Sequence, residues 1–227
     1  MTTFQEVELS CAVCESRHKY TRLLSTSSFG PPDLDTRPAP PARLSLALQV
    51  QCCPVCGYCA WEITEAPPDA KRVVSRQDYQ ALLRDLRFPY LARMFLCLAR
   101  IEEAAGNLSN AGWAALHAAW ACDDAGPDFA SAAVECRNRA VALFLKARKQ
   151  GQPFLPEPGA EEALLVDLLR RAGRFDEAEA EIQRGLEKAA SNFLRRLLMF
   201  QRRLCRAQDT RVHRMDEVPD VIPEDEA

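Results

Sequence analysis

Two cysteine pairs of identical spacing, Cys11-Ala-Val-Cys14 and Cys53-Pro-Val-Cys56, constrain this chain more than any other feature. Two residues between cysteines let both thiolates of a pair reach one ion at about 2.3 Å, and two such turns complete a tetrahedron of sulfurs. Pro54 presets φ at the start of the second turn, and Gly57 admits the positive φ that leaves amides free to face sulfur. Cys11, Cys14, Cys53 and Cys56 are therefore the candidate metal ligands, holding one structural Zn2+ per chain. Cys52 and Cys59 crowd the second pair. Strand alternation sends Cys52 to the face opposite Cys53, and both read as small half-buried apolar residues. The competing readings are that Cys52, Cys59 or His18 displaces a ligand, or that the cluster holds iron and sulfide.

The compartment bears on this choice. The opening MTTFQEVELSC lacks a basic stretch followed by an apolar one, and no run approaches the roughly 18 apolar residues of a membrane span. A cytoplasmic protein with no membrane partner is expected, and in a reducing compartment paired CxxC spacings point to metal rather than to structural disulfides. A net charge of −3 and a pI near 5.7 argue against wholesale binding to nucleic acid.

Composition divides the 227 residues into three parts. Residues 1–72 hold six of the ten cysteines and more than half of the prolines. In them FQEVELSC and RLSLALQVQC alternate, the second placing Leu44, Leu46, Leu48 and Val50 on one face, so two strands are expected, each ending at a cysteine pair. This is the layout of a zinc ribbon, with the Pro-rich stretch 25–43 as a long excursion from it. Residues 75–208 are rich in Ala, Leu, Arg and Glu at helical spacing. Residues 209–227, with seven acidic residues against two arginines, read as an acidic disordered tail.

Within 75–208, LLRRAGRFDEAEAEIQRGLEKAA and LARIEEAAGNLSNAGWAALHAAW share one helix–turn–helix grammar. Their turn glycines, Gly106 and Gly173, lie 67 residues apart, close to twice the 34-residue tetratricopeptide period. A distorted middle unit is expected between them, interrupted at GQPFLPEPG. Trp113 and Trp120 read as buried packing, with groove lining the alternative, and His117 between them reads as a satisfied helix histidine. Arg195, Arg196, Arg202, Arg203 and Arg206 read as a solvated face, with a basic patch for an acidic partner or RNA the alternative. Catalysis finds little support: no phosphate-cradling glycine loop is present, only three histidines can serve as bases, and four cysteines leave a metal no open position, so a metalloenzyme would need a histidine or carboxylate in place of one thiolate.

FGPPDLDTRPAP, followed by CCPVCGYCAW, an earlier CxxC and a helical remainder, resembles the bacterial family designated domain of unknown function 2225. The resemblance covers residues 7–125 or so. It implies a zinc-binding helical protein in which a CPxCGY knuckle pairs with the earlier CxxC, and it brings no established activity. Ala12 and Glu15 stand where that family commonly has proline and glycine. In the shared DLDTRP segment, Asp33, Asp35 and Arg37 are candidates either for holding a partner or for tying the loop down.

The combined expectation is a mainly α protein, a small N-terminal β zinc ribbon followed by a tetratricopeptide-like helical domain. Its expected function is that of a non-enzymatic zinc-binding scaffold or adaptor with a protein or peptide partner. The alternatives are a nucleic-acid-binding ribbon using Arg17, Lys19 and Arg22, or a redox or iron–sulfur protein.

Overall fold

A computed structural model describes residues 2–221. The chain is mainly helical with a small N-terminal two-stranded sheet. Strand β1 (Thr2–Ser10) pairs antiparallel with β2 (Arg17–Thr26), and the first cysteine turn is the connection between them. The expected strand over 4–11 is thus present. Its partner RHKYTRLLST escaped the sequence reading because most residues of both strands stay partly or fully exposed, so no burial pattern marks them.

The second expected strand is largely absent. Ala42–Leu48 forms a 3-10 helix, and only Gln51–Cys52 (β3) is extended, pairing with Cys59–Ala60 (β4). The alternation of Leu44, Leu46, Leu48 and Val50 does not mark one buried face: Leu46 and Val50 are buried, whereas Leu44 is 78% exposed. Ser45 Oγ donates to the Ala42 carbonyl at 2.7 Å, a local bond that favours the helical turn. Among the described residues β1 and β2 pair only with each other, and 42–48 joins neither.

Eight α-helices follow among the described residues: α1 (Ala70–Val74), α2 (Gln77–Leu83), α3 (Tyr90–Ala104), α4 (Leu108–Ala125), α5 (Ala130–Lys149), α6 (Ala160–Arg171), α7 (Phe175–Lys188) and α8 (Asn192–Arg206). Sequential neighbours pack on one another, and the alanines of α4 allow α3 and α5 to approach on both sides. The N-terminal region is not a separate body. Cys11, Leu34, Cys53 and Tyr58 belong to the same continuous core as Phe95, Leu116, Phe144 and Leu198.

The glycine signal that suggested a repeat is a shared helix end. Gly106 (φ 81°) and Gly173 (φ 73°) each follow a helix, and the next residue's N–H donates back five residues, Asn107 to Glu102 and Arg174 to Leu169, both at 2.9 Å. Gly151 (φ 68°) closes α5 in the same way through Gln152 and Ala147. Three α-helices lie between Gly106 and Gly173, whereas two complete two-helix units would require four. The 67-residue interval therefore does not measure a 34-residue period.

The segment expected to open a disordered tail is held against the chain through its first part. The Leu34 amide donates to the His213 carbonyl and the Met215 amide to Pro32, both at 2.9 Å, while the buried Arg170 donates to the Asp209 carbonyl. The proline-rich loop around residues 31–34 carries backbone groups that need partners, and residues 213–215 supply them. Residues 222–227 of that expectation lie outside the described residues. No helix among the described residues is long and apolar enough to cross a membrane.

Candidate metal centre

The two cysteine turns are near copies of each other. In the first, the Cys11 amide donates to the Ser16 carbonyl at 2.9 Å and the Glu15 amide to Cys11 at 2.8 Å. In the second, the Cys53 amide donates to Tyr58 at 2.8 Å and the Gly57 amide to Cys53 at 2.9 Å. The fifth residue of each turn is left-handed, Glu15 at φ 62° and Gly57 at φ 78°. Glu15 thus adopts the conformation for which glycine was expected. Gly57 has a second reason to be glycine, since a Cβ there would lie 2.5 Å from Leu83 Cδ2. Gly57→Ala is expected to cost about 2 kcal/mol, from left-handed strain and the Leu83 clash together. Glu15→Gly should shift stability by less than about 1 kcal/mol, in the stabilising direction. Thermal unfolding of the two variants checks the contrast.

The turns bring Cys11, Cys14, Cys53 and Cys56 together, their sulfurs all within 4.8 Å of one another. Cys11 Sγ is 3.7 Å from Cys56 Sγ, and Cys14 Sγ is 3.5 Å from Cys53 Sγ. These separations are far too long for S–S bonds of about 2.05 Å. They match the edge of about 3.8 Å expected when four sulfurs surround an ion at about 2.3 Å. The four cysteines could therefore hold a metal ion. Cys11 and Cys53 are each 1% exposed, whereas Cys14 and Cys56 reach the surface.

The surroundings favour thiolates unevenly. Burial pushes the Cys11 and Cys56 thiols up. Burial raises Cys53 as well, but amides of Cys56 and Val55 and the Ser16 hydroxyl outweigh it and bring the thiol down to about 6. Ser16 Oγ lies 3.0 Å from Cys14 Sγ and 3.3 Å from Cys53 Sγ, so one hydroxyl bridges ligands of both turns. The sequence reading missed Ser16; its place directly after the first turn is the only local signal. Ala12 N donates to the Ile63 carbonyl at 3.0 Å, which fixes the first turn against the chain beyond the second.

The competing ligands are elsewhere. Cys52 faces Cys59 across β3 and β4, and the Cys59 thiol neighbours Cys52 and the buried Cys97. His18, the other competing ligand, is half-buried on β2, and its Nε2 has no hydrogen-bond partner among the described residues. Arg17 pairs with Glu8 at 3.3 Å and Arg22 with Glu62 at 2.8 Å.

The DLDTRP segment is anchored inward. Asp33 (2% exposed) pairs with Arg43, and Arg37 (4%) donates to Asp124 at 2.6 Å while lying over the Trp120 ring. Asp35 is fully buried and accepts from Trp120 Nε1 at 2.8 Å and from Arg171 at 3.1 Å. Arg171 also reaches Asp123 at 3.0 Å. Two sequence-distant segments, residues 120–124 and Arg171, thus converge on this loop. Trp120 is buried and Trp113 half-buried, and the His117 ring stacks on Trp120 at 4.6 Å with Trp61 and Phe95 at its edges.

No family model matches this chain, and neither a curated protein nor a solved structure does.

Proposed function

We propose that the chain is a non-enzymatic scaffold in which a structural zinc ion joins the two cysteine turns and so fixes the N-terminal region on the helices. The observation that carries this reading is the set of four sulfurs at tetrahedral spacing. Thiolates suit zinc, and four of them leave no position for a water or a substrate. Binding must displace protons from the Cys11 and Cys56 thiols, which burial holds up, so affinity falls as the pH falls. The resemblance to the domain of unknown function 2225 family agrees with such a protein. So do the helix pairs α3–α4 and α6–α7, each packed together across a short turn with a left-handed glycine.

The adaptor part of the proposal rests on a cleft of about 410 Å3 between residues 58–67 and helices α3 and α4. Trp61, Glu65, Glu102 and Asn110 line it, a surface suited to a basic peptide segment.

Metal analysis of the purified protein is expected to give one zinc per chain. Cys53→Ser should abolish retention of that zinc and lower the melting temperature by about 10 °C or more. Iron with visible absorbance would instead establish the iron–sulfur reading, and an unchanged metal content in the variant would overturn the four-cysteine site. For the adaptor part, Glu65→Lys with Glu102→Lys should release peptides that the parent protein retains.

A further inference from the structure

Cys52 and Cys59 take no part in the metal set, yet they occupy directly opposed positions of the antiparallel pair β3–β4. Opposed residues in such a pair have Cα atoms about 4.5–5.5 Å apart and side chains on one face, inside the window of about 4.4–6.8 Å that a disulfide spans. Their environments differ. Cys59 is fully buried, with Cys52 and Cys97 as thiol neighbours. Cys52 is partly exposed and lines an open cleft of about 430 Å3 together with His18, Lys19, Tyr20 and Tyr90. His18 Nε2 and the Tyr20 hydroxyl, both shielded, have no partner among the described residues. The cleft therefore offers a partly exposed cysteine and a lysine.

We propose that Cys52 and Cys59 form a reversible redox pair, with Cys52 the attacking and Cys59 the resolving thiol, acting on small anionic disulfides that enter this cleft. The Cys52 sulfur, after losing its proton to solvent, attacks one sulfur of the small disulfide. Its S–S bond breaks, and the leaving sulfur departs with the electron pair and takes up a proton. The Cys59 thiol then attacks the Cys52 side of the mixed disulfide, whose S–S bond breaks, and its proton passes to the second small sulfur as that departs as a thiol. Two protein thiols are oxidised and one small disulfide is reduced to two thiols, so electrons and protons balance. Alternation keeps this chemistry apart from the metal: the Cys52 side chain leaves the strand opposite to Cys53. The new bond would close the turn that carries Cys53 and Cys56 without using either sulfur.

The test exposes the full-length, zinc-loaded protein to oxidised glutathione and reads both metal content and disulfide position, by mass spectrometry after cleavage at Tyr58. The expected result is loss of two hydrogens in a bond linking Cys52 to Cys59, reversed by reduced glutathione, with zinc retained. Cys59→Ser should stop at one glutathione attached to Cys52, Cys52→Ser should take up none at Cys59, and Cys97→Ser should leave the pair intact. A Cys59–Cys97 bond, bonds among Cys11, Cys14, Cys53 and Cys56 with loss of zinc, or Cys52 and Cys59 both remaining alkylatable would each overturn the proposal. The position of the disulfide is read whether or not the protein carries metal, so a failure of the zinc reading is distinguishable from a failure of this one.

Discussion

Replacement of Asp35 by alanine is expected to lower stability by about 3–5 kcal/mol, seen as a fall in the urea midpoint with little change in slope. Its carboxylate is fully buried and is shared by the Trp120 indole N–H, by Arg171 and by the Arg37 amide at 3.3 Å. Removing it leaves an indole donor and part of a guanidinium in a dry environment, where an unsatisfied charge costs more than a lost surface pair. Asp35→Asn keeps an acceptor for Trp120 and loses only the charge, so it should cost less, about 2 kcal/mol. An alanine variant that lost under about 1 kcal/mol would show that the loop is held by its backbone bonds instead. The residue lies 85 positions from Trp120 and 136 from Arg171, so this one side chain ties the N-terminal region to both the middle and the late helices.

The second large effect is acid sensitivity centred on His117. Burial, with the Arg37 guanidinium as a lesser cause, holds its imidazole down to about 3, against about 6.5 in an unfolded chain. Between those values the unfolded state binds the extra proton and the folded state does not, so stability rises with pH across this window and is lost on acidification. From pH 6.5 to 4 the loss is about 3 kcal/mol. His117→Phe keeps a flat ring against Trp120 and has nothing to titrate. The difference in unfolding free energy between parent and variant, measured at several pH values, should therefore shrink or reverse toward pH 4 in favour of the variant. A difference independent of pH would mean that the imidazole is reached by water.

How much of this was legible depended on how local the signal was. The ligand set could be read because each pair closes its own five-residue turn, and the turn residues Pro54 and Gly57 carry their backbone requirement in their type. The helices were legible for a similar reason, since apolar residues at helical spacing record which side is buried. Glu15 shows the limit of this reasoning: it holds a left-handed turn against its own preference because the hydrogen bonds around Cys11 over-determine the backbone.

Other features were not readable along the chain. Leu44, Leu46, Leu48 and Val50 alternate as a strand would, but alternation alone does not make a sheet, and most of this segment is a 3-10 helix whose turn Ser45 supports with its own hydrogen bond. The glycines Gly106 and Gly173 were rightly seen as similar, but similarity of two helix ends carries no information about how many helices lie between them. Residues 209–221 looked solvated by composition, while their backbone carbonyls and amides complete the loop at Pro32 and Leu34.

The cysteine spacing and the amphipathic periods therefore specify two ligand-presenting turns and a helical class without help from the rest of the molecule, because each is satisfied within a turn or a helix, whereas bringing the two turns together across 39 residues took packing. The inward fate of DLDTRP was decided only by tertiary structure, whereas the facing of Cys52 with Cys59 follows from the local hairpin around the second cysteine turn. A buried carboxylate or an opposed thiol acquires its meaning from the partner that packing brings to it, and for Asp35 that partner arrives from more than a hundred residues away.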